Sequence, residues 1–138
     1  MILHFTFEEL SALDAAIERV LDSAEGGGVA APPQVITDLE SLAPRLVGDI
    51  SVDTLADQLA IQRAIEFLIT ETRDRTDFFI LDEHPAAESA VSAYFEYAHI
   101  LTVLERVRQM GEEMKAIVSL MTGEQPSDET ARSVSFED

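Results

Sequence analysis

Glu96 and His99 stand three residues apart in a stretch of helical periodicity, which puts a carboxylate and an imidazole on one helix face. This is the Glu-x-x-His spacing that holds metal in di-iron carboxylate bundles. A complete site of that type needs a second Glu-x-x-His and two further inward glutamates. The chain has no second copy, and Glu66 and Glu71 are the best substitutes. With His4 or His84 as a third ligand the pair would suit a mononuclear centre. Asp82, Glu83, His84 and Glu88 also collect carboxylates around an imidazole, but at a helix start, where the helix dipole by itself favours acidic side chains. The residue types therefore give Glu96 and His99 two readings, a polar pair at the edge of a core or the beginning of a metal site, and the first needs fewer partners.

Other chemistries find less support. Gly26, Gly27 and Gly28 follow a helical segment instead of a strand and lack the Lys-Ser/Thr of a phosphate loop. No serine sits in a Gly-x-Ser-x-Gly elbow, and there is no cysteine to act as a nucleophile or a soft metal ligand. Tyr94, Phe95 and Tyr97 form an aromatic group on a helix, better suited to packing than to stacking a ligand. No catalytic residue is assigned and no cofactor is implied.

Charge says more. The 138 residues carry 27 carboxylates against nine basic residues, of which only Lys115 is a lysine, for a net charge of -18. Residues 122–138 account for -4 of this, so the body of the protein is itself acidic, at -14. Such a surface repels itself until salt screens charges beyond about 8–10 Å. Acid excess with almost no lysine resembles, in composition, proteins of organisms that keep molar salt in their cytoplasm. The alternative is an acidic face that acts as decoy or adaptor for a basic partner. Direct nucleic-acid binding is disfavoured, because phosphate neutralisation needs lysine and arginine clusters. The densest basic group, Arg73 and Arg75, encloses Asp74. The apolar runs are too short for a membrane span or a signal peptide, so the expected location is the cytoplasm.

The elements that would position these residues are mostly helices. Thr6 and Glu9 make a capping box, with Phe5 and Leu10 placed for a hydrophobic staple. Leu10, Leu13, Ile17, Val20, Leu21 and Ala24 then recur at helical spacing up to the glycines. Pro32 and Pro33 open a short second helix with Val35, Leu39 and Leu42, which Pro44 ends. Ser51 is the expected cap of a third helix, from Val52 to about Arg73, whose apolar surface is wide enough for the centre of a bundle. His84-Pro85 marks the start of a fourth, running from Ala86 to about Met121 with Gly111 as a tolerated interruption. Ile2 to Phe5 has strand character, and Phe78 to Leu81 is its candidate partner, although that run suits a helical turn or loop equally well.

Ile100, Val103, Val107, Met110, Met114, Ile117 and Met121 alternate in steps of three and four, the a/d register of a coiled coil. The fold class that follows is mainly α: a small bundle of about four helices over residues 1–121, its last helix long, with one short two-stranded β element. Residues 122–138 have the composition of a disordered acidic tail. The functional expectation is a non-catalytic interaction or regulatory protein, homodimeric through that stripe, with scope for another protein partner. A metal-binding bundle built on Glu96 and His99, with oxidoreductase chemistry, and the acidic adaptor are the alternatives.

Overall fold

The computed structural model describes residues 1–27, 31–81 and 87–122. The expected helix start at His84-Pro85, the Asp82-Glu83-His84 group and the expected tail fall outside them. Four helices are present among the described residues: α1 (Phe7–Glu25), α2 (Pro33–Leu42), α3 (Leu55–Leu81) and α4 (Ala87–Thr122). They are joined by a 3-10 turn (Ala43–Arg45) and two two-residue strands, β1 (Ile2–Leu3) and β2 (Ile50–Ser51). The mainly-α bundle expected from the periodicity is the fold observed.

Local chemistry sets the helix ends. Thr6 Oγ1 accepts the Glu9 N–H at 3.1 Å while Glu9 Oε1 accepts the Thr6 N–H at 2.8 Å, the reciprocal pair read from the sequence. Phe5 and Leu10 both pack against the core. Gly26 caps the C-terminus, and Gly27 takes the left-handed conformation, φ 78°, that a side chain would resist. Pro32 and Pro33 open α2, and its last turn tightens into the 3-10 helix that contains Pro44.

Two boundaries differ from expectation. Thr54, and not Ser51, caps α3: its hydroxyl accepts the Asp57 N–H at 3.0 Å, while Ser51 lies in β2 and donates to Asp53. Thr54→Ala should therefore cost about 1 kcal/mol in denaturant unfolding, and Ser51→Ala much less. The helix also continues past Arg73. Thr72 and Thr76 are buried there, and each hydroxyl donates back to a carbonyl four residues earlier, Leu68 and Thr72, at 2.8 Å. Polar residues that satisfy themselves along the helix can be buried without a partner element.

Phe78 to Leu81 consequently belongs to α3 and is not a strand. The true partner of β1 is β2, antiparallel, with Ile2 opposite Ser51 and Leu3 opposite Ile50. The Met1 ammonium donates to Val52 O at 3.0 Å, and Met1 O accepts the Val52 N–H at 2.7 Å, extending the pairing by one residue. His4 Nδ1 lies 2.8 Å from Asp49 Oδ2, fastening the other end.

The core lies between α1, α3 and α4, with α2 closing one side of α3. Leu13, Ile17 and Val20 of α1 meet Ile65 and Leu68 of α3 and Ile100, Val103 and Leu104 of α4 in one buried cluster. The most extensive pairing is α3 with α4. It closes tightly at Gly111, where an added Cβ would lie 2.5 Å from Gln58 Nε2. Gln58 is 1% exposed and donates to Val107 O at 2.8 Å and to Gln62 Oε1 at 2.9 Å, so its amide pins the register of the two helices.

Candidate functional site

Glu96 and His99 lie on α4 where it passes α1 and α3. Glu96 does not face an open site. Its Oε1 accepts from Arg19 Nη2 of α1 at 2.6 Å and lies 3.9 Å from Arg75 Nη1 of α3; Arg19 Nη2 also donates to Glu71 Oε1 at 2.9 Å. Burial alone would lower the pKa of the Arg19 guanidinium, but Glu96 and Glu71 raise it above its ordinary value. Arg19 thus occupies the position from which Glu96 and Glu71 would ligate a cation. Glu66, the other substitute ligand, accepts from Arg108 at 3.1 Å and from Gln62 at 3.2 Å. His4 is tied to Asp49, in the strand region. His99 is half-buried, and its carbonyl accepts from Thr102 at 2.7 Å. Among the described residues no group of three or more His, Asp and Glu side chains is arranged to hold a metal. The arrangement does the work of a clamp, drawing three helices together through alternating charges.

A second clamp uses Glu9. This carboxylate is 3% exposed at the start of α1 and is gripped by Arg106 of α4 through both oxygens, at 2.8 and 2.5 Å. Thr102 Oγ1 donates to it at 2.8 Å, and Arg106 Nη1 also donates to His4 O at 2.9 Å. Burial pushes the Glu9 carboxyl up, yet Arg106, the Thr6 N–H and the Thr102 hydroxyl together bring it down from 4.5 to about 2. Asp38, the other buried acid among the described residues, is held by Arg63 at 3.0 Å and by Gln34 at 3.0 Å.

The α4 stripe divides in two. Ile100, Val103, Val107, Met110 and Met114 are between 0 and 9% exposed and belong to the chain's own core. That part of the register is taken up by α1 and α3, whose apolar faces reach it first. An aspartate at Val107 or Met114 would therefore attack the fold as much as any assembly. Ile117 and Met121 are different, at 46% and 81% exposed. They project beyond the bundle with Val118 and Leu120, at 45% and 76%. Beneath them, Met1, Val52, Thr54 and Leu55 form the floor of a groove of about 360 Å³, whose wall on the α4 side is Met114, Ile117, Val118 and Met121. Asp53 stands at its edge. Met1 and Ile2 extend the apolar surface, at 40% and 49% exposed.

The heptad stripe points to Ile117 and Met121 but not to the floor, because β2 and the turn after it carry no periodic signal. One sequence feature would have singled out this end. Residues 114–122 contain no carboxylate, and their sole charge is Lys115, in a chain with 27 acidic residues. Other acid-poor stretches of α3 and α4, such as residues 58–65 and 97–104, supply core positions, whereas residues 115–118 and 120–122 are all exposed.

Other exposed apolar residues occur elsewhere. Phe7 and Val47 flank the start of α1, and Val91, Tyr94 and Phe95 lie near the start of α4, where the two rings meet edge to face with centroids 6.0 Å apart. Among the described residues no helix is long and apolar enough to cross a membrane. Comparison with family models, with curated proteins and with solved structures finds no match for this chain.

Proposed function

We propose that this chain is a non-catalytic interaction protein that pairs with a second copy of itself through the last turns of α4. The observation that carries this reading is the exposed apolar end formed by Ile117, Val118, Leu120 and Met121, in a carboxylate-free stretch of α4, with Met1 and Ile2. On a chain of net charge -18, most of the surface repels an identical chain. The end of α4 is where two copies approach with few carboxylates between them, Asp53 and Glu113 standing at the border of the apolar surface. Each of these six residues is between 40 and 81% exposed.

The stripe supports a helix-to-helix contact of limited length. Its first five members serve the monomer, and Ile117 and Met121 continue the same a/d line into solvent, with Val118 beside them. Buried carboxylates that would otherwise invite a catalytic reading are committed to arginines, Glu9 to Arg106 and Asp38 to Arg63.

Sedimentation velocity over micromolar to millimolar protein in about 0.5 M KCl, where the Debye length falls below roughly 5 Å, tests the proposal. The expected result is a dimer that Leu120→Asp with Met121→Asp converts to a monomer of unchanged helicity. A chain truncated after Gly123 is expected to dimerise as the full chain does. A wild-type monomer at every concentration would overturn the reading. So would a monomer whose truncated form alone dimerises, since residues 124–138 would then be the occupant of the groove.

A further inference from the structure

Resting on the self-association just proposed, we infer that ionic strength gates the contact, with Asp53 and Glu113 as the carboxylates at its rim that set the gate. The apolar patch is free of acid, but its border is not. Asp53 lines the same groove as Met1, Leu55 and Met121 and is exposed; it accepts from the Ser51 hydroxyl at 3.2 Å. Glu113 is exposed on the other flank of α4, lining a neighbouring groove with Ile2 and Met110.

The cations nearby offset these charges only in part. Arg45 attracts Asp53 through space but is bonded to Asp57 at 2.9 Å twice, and Arg106 is bonded to Glu9. Lys115 lies 3.7 Å from Glu112, and the Met1 ammonium, which donates to Val52 O, is one positive charge beside the two carboxylates of the rim. A two-fold contact presents each rim to its own copy, so every uncompensated carboxylate is doubled across the interface.

Distance separates the two contributions to the repulsion. At about 0.01 M salt the Debye length is about 30 Å, longer than the radius of gyration of roughly 13–14 Å expected for a compact domain of this length, and the whole charge of each copy opposes approach. At about 0.15 M it is near 8 Å, and only carboxylates bordering the contact are still felt. Hydrophobic attraction at Ile117, Leu120 and Met121 is nearly unchanged over that range. The dimer therefore forms as salt rises, and removing the rim charges lets it form earlier.

The experiment is a dimer dissociation constant measured by sedimentation equilibrium on the full chain from about 0.02 to 0.5 M ionic strength, in potassium chloride and in potassium sulfate matched for ionic strength. The wild type is expected to tighten at least about tenfold in either salt, because screening depends on ionic strength and not on the anion, with sulfate adding only a smaller increment through its strengthening of apolar burial. Asp53→Asn with Glu113→Gln, both exposed and outside the core, is expected to dimerise several-fold more tightly at the lowest salt and to respond less to added salt. A dimer whose affinity ignores salt, or follows anion identity instead of ionic strength, overturns the gate and leaves the self-association standing. A double variant identical to wild type at every ionic strength overturns the assignment to Asp53 and Glu113. A monomer under all conditions defeats the underlying reading.

Discussion

Glu9→Gln is expected to destabilise the protein by about 3 kcal/mol at pH 7, and the difference from wild type is expected to vanish as the pH falls toward 2. The carboxyl of Glu9 is lowered from 4.5 to about 2 in the folded chain. One pKa unit corresponds to about 1.4 kcal/mol of preference for the ionised form, which gives the magnitude. The sign follows from proton binding. An acid whose folded pKa lies below its unfolded value contributes its full stability above about pH 5 and loses it as the pH drops through the folded pKa. Glutamine keeps the shape and can still accept the Thr6 N–H, but it offers Arg106 no charge. The variant thus resembles wild type with Glu9 protonated.

Acidification also discharges the surface of a chain whose isoelectric point is near 4.2, so the absolute stability of wild type mixes two effects. The difference between wild type and Glu9→Gln isolates one. Urea unfolding of both proteins at half-unit steps from pH 7 to 2 gives it directly. A difference that stays constant across that range would mean that the Arg106 pair contributes through packing alone.

Gly111→Ala should destabilise by about 1–3 kcal/mol, although alanine is the better helix former by about 1 kcal/mol. The added methyl would lie 2.5 Å from Gln58 Nε2, 2.8 Å from its Cδ and 2.9 Å from its Oε1. A glutamine side chain is normally flexible enough to move aside. This one is enclosed between α3 and α4, and moving it breaks the bonds to Val107 O and Gln62. Buried amide groups left without partners are costly.

The check is a double-mutant cycle. In a Gln58→Ala background the same Gly111→Ala change should become neutral or stabilising, because the space is empty and the helix propensity gain remains. Equal effects of Gly111→Ala in both backgrounds would show that the close approach is not what glycine serves.

Much of this could be read from residues in order along the chain. The Thr6-Glu9 box, the stop at Gly26, the proline start of α2 and the apolar face Leu13, Ile17 and Val20 all depend on groups within four residues of one another. Acidic character and the absence of cysteine are matters of composition. What failed did so where distant residues decide. The third helix is expected from its sequence to end at about Arg73, yet it runs to Leu81, with Thr72 and Thr76 buried and bonded to its own carbonyls. Phe78 to Leu81 is the wrong partner for Ile2 and Leu3, because a two-residue strand such as Ile50 and Ser51 has no periodicity to mark it and the pairing is made between residues far apart in the chain.

The candidate site divides along the same line. The sequence by itself determined that α4 is long, that its apolar residues follow a seven-residue repeat, and that its last turns lack carboxylates, because each is a property of near neighbours on one helix. Tertiary structure alone decided how that stripe is shared. Ile100 through Met114 are covered by α1 and α3, and Ile117 and Met121 are left open over Met1 and Val52, because the partner helices end before α4 does. It also decided that Glu96 meets Arg19 from α1, 77 residues away. A carboxylate three residues before a histidine looks the same in sequence whether a metal or a guanidinium faces it, and only packing brings the guanidinium there.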